Sequence, residues 1–395
     1  MTMRTSILRV AALAAFTTMF TAGIANAAQP LLPAGVSDQV PTRLSVLPAP
    51  TGAIERKPVA FSWALDPDAE LSASAPFLAE SREYWMTVEG SELARGVPLQ
   101  MTAPGALVRI SPAKGSLGLR AGDFSVNVAG RKIGIAQAAD ADALRKAGMD
   151  ASAGTQIIRL GAGSGAGRHV LRAANARGRY VVHVFEPASD RVLFARADRN
   201  QALAGSRMRV AIGATNAGRQ TDVDSQALLV APDGSSQPVA VRNAAGGGQE
   251  AVFTVPASAS HAKGLWELQV FSDVGDVPRD ARTAFAVAQP TARFSGIFDV
   301  DAANLRVSLP VEAASPGRYE ARGTLYATAK DGSLRPVSQA HAAAWMSAGD
   351  GMLVLQFARA HLPAGYGAPY EVRQLELNDQ GRMAPIESRT RGARF

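Results

Sequence analysis

The sequence contains no cysteine in 395 residues. That excludes a disulfide scaffold, a thiol nucleophile, cysteine-ligated zinc and a lipidated N-terminal cysteine. Lysine is scarce as well. Of 41 cationic residues only six are lysine (Lys57, Lys114, Lys132, Lys146, Lys263 and Lys330), and the rest are arginine. The arginines are scattered instead of forming a stripe, so the formal charge of +7 reads as composition and no nucleic-acid partner is expected. There are five histidines and no H-E-x-x-H, so the usual helical zinc-protease signature is missing. No G-x-S-x-G occurs either. Helical periodicity is nearly absent, and the best helix is Asp140–Met149, with Asp140 as its N-cap.

Apolar residues make up 47% and charged residues 19%. That mixture builds cores and excludes wholesale disorder. The length suggests two to four domains. Met1 to Arg9 is basic, with Arg4 and Arg9 and no acid. Val10 to Ile24 is uncharged and mostly apolar, and Ala25-Asn26-Ala27 supplies small residues where a signal peptidase reads. The run of 15 residues is shorter than the roughly 20 that a membrane span needs. Cleavage near Ala27 is therefore expected, leaving 368 residues with a charge of +5 in a periplasm or outside the cell. No later stretch is long and apolar enough to span a bilayer. The last residues, Met383 to Phe395, lack the alternation of a lipid-facing strand and contain Pro385. With Arg382, Arg389, Arg391 and Arg394 against Glu387, they read as a solvated end.

The remainder reads as short strands between Gly, Pro, Asn and Asp. The expected fold is all-β, with three domains in series after a signal peptide at 1–27. A β-rich N-terminal domain covers 28–188 and opens with a proline-rich stretch lying over the fold. An immunoglobulin-like sandwich follows at 189–290 and a second sandwich at 291–395. In Leu265–Phe271 and Tyr370–Leu377 the alternation is imperfect.

Several segments invite chemistry. Gly161-Ala-Gly163-Ser-Gly165-Ala166 fits G-x-G-x-x-A, with Glu186 placed as a ribose-binding acid would be. The intervening segment has no helical stripe, so a glycine loop between strands is the preferred reading. His169 and His183 would lie on the two arms of a hairpin turning near 175–178, and two imidazoles fall short of the three or four ligands of a zinc site. Asp66, Asp68 and Glu70, then Asp222 with Asp224, then Asp299 with Asp301, space acids as calcium sites do, and they read as solvated turns. Ser164 lacks an assignable His or Asp. Tyr84, Trp85, Trp266 and Trp345 are candidates for a sugar platform, with core packing the alternative. No catalytic residue, no cofactor-binding residue, no metal ligand and no cofactor is assigned.

Ser81-Arg-Glu-Tyr-Trp-Met86, Thr102–Pro112, Val184-Phe-Glu-Pro187, Gly264–Phe271 and Pro369–Leu377 resemble a family of exported bacterial proteins known as domain of unknown function 4785. The resemblance implies an N-terminal β domain followed by immunoglobulin-like domains, and it brings no catalytic residues. The expected function is a non-catalytic binding or adhesion protein contacting a protein or glycan. The alternative is a secreted hydrolase, or a hydrolase accessory, with its site in the N-terminal domain.

Overall fold

The computed structural model describes residues 28–69, 71, 75–258 and 264–395. The expected signal peptide lies outside them, as do Glu70 and His261. Among the described residues no helix is long and apolar enough to cross a membrane. The chain is all-β and forms three two-sheet sandwiches.

In the first sandwich one sheet runs Glu83–Glu89, Arg179–Phe185, Leu107–Pro112, Gln156–Leu160 and Ile135–Asp140. The other runs Val97–Met101, Gly167–Ala173, Phe124–Val128 and Arg131–Ile133. Period-two sequence sets the faces. In Arg179–Phe185 the side chains of Tyr180, Val182 and Val184 are buried while Arg179 and Val181 are exposed. They meet Leu99, Val126 and Leu171 of the opposing sheet in one core. Asp140 accepts a hydrogen bond from the Ala143 N–H at 2.9 Å and caps the short helix Ala141–Lys146, as its sequence predicts.

The second sandwich pairs Val241–Asn243, Gln249–Thr254, Arg207–Asn216, Arg191–Ala197 and Leu78–Ser81 in one sheet. The facing sheet holds Gln201–Leu203, Val277–Ala288, Trp266–Val274, Asp224–Val230 and Ser236–Val239. The alternation that looked imperfect from Leu265 is regular once the strand starts at Trp266. Trp266, Leu268, Val270, Ser272 and Val274 all face inward. Inside that face the Ser272 hydroxyl is satisfied by Ser225, 2.8 Å away.

The third sandwich packs Ile297–Asp301, Arg306–Ala313, Ala292–Phe294 and Gly349–Gln356 against Leu334–Met346, Gly317–Thr328, Gly367–Asp379 and Ala384–Arg394. The broken pattern of Tyr370–Leu377 has a local cause. Pairing jumps from Arg322 opposite Glu376 to Thr324 opposite Arg373, and Gln374 adopts φ 45°. This bulge lets Val372 and Leu375 both enter the core. Gly323 sits across from it, where a Cβ would approach Val372 to 2.8 Å and Leu355 to 3.0 Å. The tail differs from the solvated end expected of it. Ala384–Arg394 is a sheet strand with Ile386 and Ala393 in the core. Two of its three arginines are matched by carboxylates, Arg389 by Glu387 at 2.7 Å and Arg391 by Glu371 at 2.7 Å.

Residues 29–64 precede the first sandwich in sequence yet pair with the third. Gln29–Pro30 joins Ile297–Asp301, and Val59–Ala64 forms the edge strand beside Leu334–Met346. Between them the proline-rich stretch crosses as a strap, held where Gln39 bridges Ser388 and Ser45 donates to the Pro290 carbonyl. Leu78–Ser81 likewise belongs to the second sandwich.

The first and second sandwiches meet at a fully buried ion pair. Arg279 Nη2 lies 2.6 Å from Glu186 Oε2, and neither side chain has any exposure. Glu186 also accepts from the backbone N–H groups of Thr102 and Ala103, and Arg279 donates to Ser189, Thr102 and the carbonyls of Pro278 and Arg191. Removing one member of such a pair leaves a buried charge without its counter-ion, at a cost of about 3–5 kcal/mol. Arg279→Met is expected to lower the unfolding free energy by about that amount in urea denaturation. Glu186→Gln leaves the Arg279 guanidinium buried without its counter-ion, and since arginine cannot shed its proton it is expected to lose at least as much.

Candidate ligand-contact face

The residues singled out from sequence fall mostly into structural roles. The glycine segment is a turn, with Ala162–Ser164 as one 3-10 turn leading into the strand Gly167–Ala173. Where a dinucleotide fold needs a helix, this chain has a strand. Glu186 is sealed in its ion pair, with no exposure left for a ribose. His169 is also buried, its ring nitrogens 3.0 Å from the Gly167 carbonyl and 3.1 Å from the Ser164 carbonyl, and it clamps the glycine turn. His169 and His183 do not share a hairpin, because their strands belong to opposite sheets of the first sandwich. Ser164 is buried, and its hydroxyl accepts from the Gly105 N–H at 3.3 Å.

Asp66 accepts from the Asp68 N–H, and Asp301 caps a turn through Asn304. Among the described residues no group of three or more His, Cys, Asp or Glu could hold a metal ion. Tyr84 and Trp266 are core residues. Trp85 is packed edge-on to Phe271 at 5.6 Å and covered by Arg282 at 5.0 Å. Trp345 is half-buried under Arg56 at 4.4 Å.

The exposed aromatic surface lies elsewhere. Val59, Phe61 and Trp63 alternate along the edge strand on one side of the third sandwich, 43%, 52% and 39% exposed. Phe61 pairs across the ladder with His341, and Trp63 with Gln339. The His341 ring stacks on Phe61 at 5.3 Å with planes 10° apart, and on Trp63 at 5.0 Å. Its Nδ1 is 2.5 Å from Glu320 Oε1, and Glu320 in turn accepts from Gln380. The cluster is thus pre-oriented from beneath by a hydrogen-bonded carboxylate. Next on the sheet Arg322 pairs with Glu376. The face combines exposed stacked rings with planar amide, carboxylate and guanidinium groups. Its charges are largely matched in place. Phe61 and Trp63 were not singled out in the sequence. The signal was alternation of three large apolar residues on a strand that proves to be an edge.

A second polar cluster stands at the junction of the first two sandwiches. His183 Nε2 and Glu83 Oε2 are 2.9 Å apart, and the hydrogen bond from His183 holds the Glu83 carboxyl below its ordinary range. Asp280 accepts from the Trp85 N–H at 2.7 Å, and burial pushes its carboxyl up to about 7. The Asp280–Trp85 bond ties the first sandwich to the second, while the His183–Glu83 contact joins neighbouring strands within the first.

Three serial β-sandwiches joined by buried polar contacts, with an exposed aromatic sheet face, define the class. The chain belongs to the DUF4785 family. Residues 50–186 match the domain of unknown function (DUF4785) N-terminal domain, and residues 291–393 match the DUF4785 C-terminal domain. The fold is similar to the crystal structure of a DUF4785 family protein from Legionella pneumophila, with TM-score 0.64 and 18% identity, covering 90% of this chain and 98% of that one. Trypsin-activated alpha-2-macroglobulin from Escherichia coli also matches, with TM-score 0.23 and 13% identity, over 73% of this chain and 22% of that one. No curated protein matches the chain.

Asp280 generates a pH prediction. Its folded pKa of about 7 stands above the unfolded value of about 3.9. The stability gained from the neutral acid is full below the unfolded value and is lost as pH rises through the folded one. Asp280→Asn keeps an oxygen for the Trp85 N–H and never ionises. The variant is expected to match the wild type only below about pH 4, to gain on it as pH rises from there to about 7, and to melt at least about 2–4 °C higher at pH 8. Parallel melting profiles across that range would remove Asp280 from this role.

Proposed function

We propose that the protein is exported and acts as a non-catalytic binding or adhesion protein of the bacterial envelope or exterior, holding a glycan on the Phe61–Trp63–His341 face. Export rests on the basic start, the uncharged apolar run and Ala25-Asn26-Ala27. The single observation that carries the binding reading is the exposed ring stack at 5.0 to 5.9 Å, pinned by Glu320 on a sheet face.

Large contiguous apolar surface on a soluble protein marks a contact site, and stacked rings offer rigid apolar area at little conformational cost. The neighbouring charges favour a glycan. Glu320 is hydrogen-bonded to His341, and Arg322 is paired with Glu376, so the face presents little unmatched charge to steer a charged partner. A saccharide lays its C–H face on rings and its hydroxyls on planar amide and carboxylate groups, which this face supplies in Gln339 and Glu376.

The mature chain is expected to retain specific oligosaccharides on a glycan array. Phe61→Ala and Trp63→Ala are each expected to weaken that binding about tenfold, equivalent to about 1.4 kcal/mol, with melting temperature unchanged. A blank array combined with retention of an envelope protein through the same two residues would replace the glycan with a protein partner. A blank array and a blank pulldown would count against the binding reading itself.

A further inference from the structure

A separate cleft lies at the opposite edge of the third sandwich's sheet, where the strap crosses to the second sandwich. It encloses about 1220 Å³ between residues 36–45, 198–209, 252–257 and 289–290. Clefts between domains are where small ligands most often sit. Its chemistry is lopsided. The lining carries four arginines, Arg43, Arg199, Arg207 and Arg209, against two acids, Asp38 and Asp198.

The acids are already committed. Asp38 accepts from Thr390 and Gly35, through both of its oxygens. Asp198 is paired with Arg199 at 3.2 Å. Arg209 is matched from outside the lining by Glu250 at 3.3 Å. Arg43 and Arg207 are exposed and make no side-chain hydrogen bond or ion pair with any described residue.

The buried donors tell the same story. Arg199 uses its two terminal nitrogens on Gln39 and Asp198, which leaves the buried Nε without an acceptor. Gln289 accepts from Ser45 through its oxygen, at 2.6 Å, and its buried Nε2 has no acceptor. Buried donors without partners are rare in folded proteins and call for a missing acceptor. Two uncommitted guanidiniums and two orphaned donors on one cleft are the complement of an anion, because guanidinium forks match carboxylate and phosphate geometry.

We propose that this cleft binds an anionic ligand bearing carboxylate or phosphate groups, with Arg43 and Arg207 supplying the charge and Val40, Leu44 and Val252 an apolar wall. The site is independent of the aromatic face, so either proposal stands without the other.

The test is calorimetric titration of the mature chain with citrate and with inorganic phosphate, with glycerol as the neutral control. Saturable binding of at least one anion is expected, weakening as salt is raised. The two probes separate carboxylate from phosphate preference. Arg43→Gln and Arg207→Gln are each expected to weaken binding about tenfold, and the double variant to abolish it. Both side chains are exposed, so folding should be kept, and circular dichroism checks this. Arg131→Gln, on the exposed edge of the first sandwich, should bind as the wild type does. Absence of saturable binding with both anions would overturn the proposal. So would an unchanged affinity in the double variant.

Discussion

The buried pair of Glu186 and Arg279 is the constraint around which the first two sandwiches are arranged. Glu186 closes the last strand of the first sandwich, while Arg279 comes from the long strand Val277–Ala288 of the second. A charge brought out of water is tolerated when paired and fully hydrogen-bonded. Here the carboxylate takes the Thr102 and Ala103 amides as well as the guanidinium, and every guanidinium nitrogen finds an oxygen. Those bonds come from several segments that are distant in sequence. They are satisfied together only at one relative placement of the two domains. Ser81, Trp85, Phe271 and Asp280 extend the same junction. Four of the five stretches that carried the family resemblance, 81–86, 102–112, 184–187 and 264–271, contribute to it, while the fifth, 369–377, lies in a sheet of the third sandwich.

The third sandwich is tied by a different device. Without cysteine, nothing covalent closes the chain. The segment that opens the described chain instead adds a strand to each sheet of the C-terminal sandwich. Val59–Ala64 pairs with Leu334–Met346 through six residues, from Val59 opposite Ala343 to Ala64 opposite Ser338. This long-range pairing also creates the aromatic face, since Phe61 and Trp63 come from one end of the sequence and His341 and Glu320 from the other. Any contact made through that face therefore depends on the two ends of the chain remaining joined.

The architecture was legible in the sequence wherever side chains alternated cleanly. Arg179–Phe185 reads directly as a strand, and Asp140 reads as a cap. Elsewhere the pattern was hidden by physics that a linear reading does not carry. Leu334–Met346 is a central strand rich in alanine, a residue with weak β-propensity. It is selected because Ala340 and Ala342 fill a core already crowded by Leu325, Leu355 and Phe357. The bulge at Gln374 shifted the phase of its strand. The arginines of the last strand looked like a solvated tail because their partners, Glu371 and Glu387, are acids that burial would disfavour if they stood alone. Desolvation pushes the Glu387 carboxyl up even with Arg389 beside it, whereas Arg391 beside Glu371 holds that carboxyl below its ordinary range. The ligand-contact face was legible only in part. Alternation marks Val59, Phe61 and Trp63 as one side of a strand, but not which side is left uncovered.

The two surfaces proposed for binding differ in the currency they offer. On the aromatic face, charge is matched internally, so attraction comes from desolvating rings and is insensitive to salt. In the strap cleft, donors outnumber acceptors, so attraction is electrostatic and weakens as ions screen it. The strap connects them physically. Gln39 bridges Ser388 on one edge of the third sandwich's sheet, and the same segment continues into Val59–Ala64 on the other. Along the way it is fixed by Arg318 and Arg382, which donate to the carbonyls of Glu55, Lys57 and Pro48. Arg318 also reaches Gln380, the residue that donates to Glu320 beneath His341. A short chain of hydrogen bonds thus runs from the strap to the ring stack.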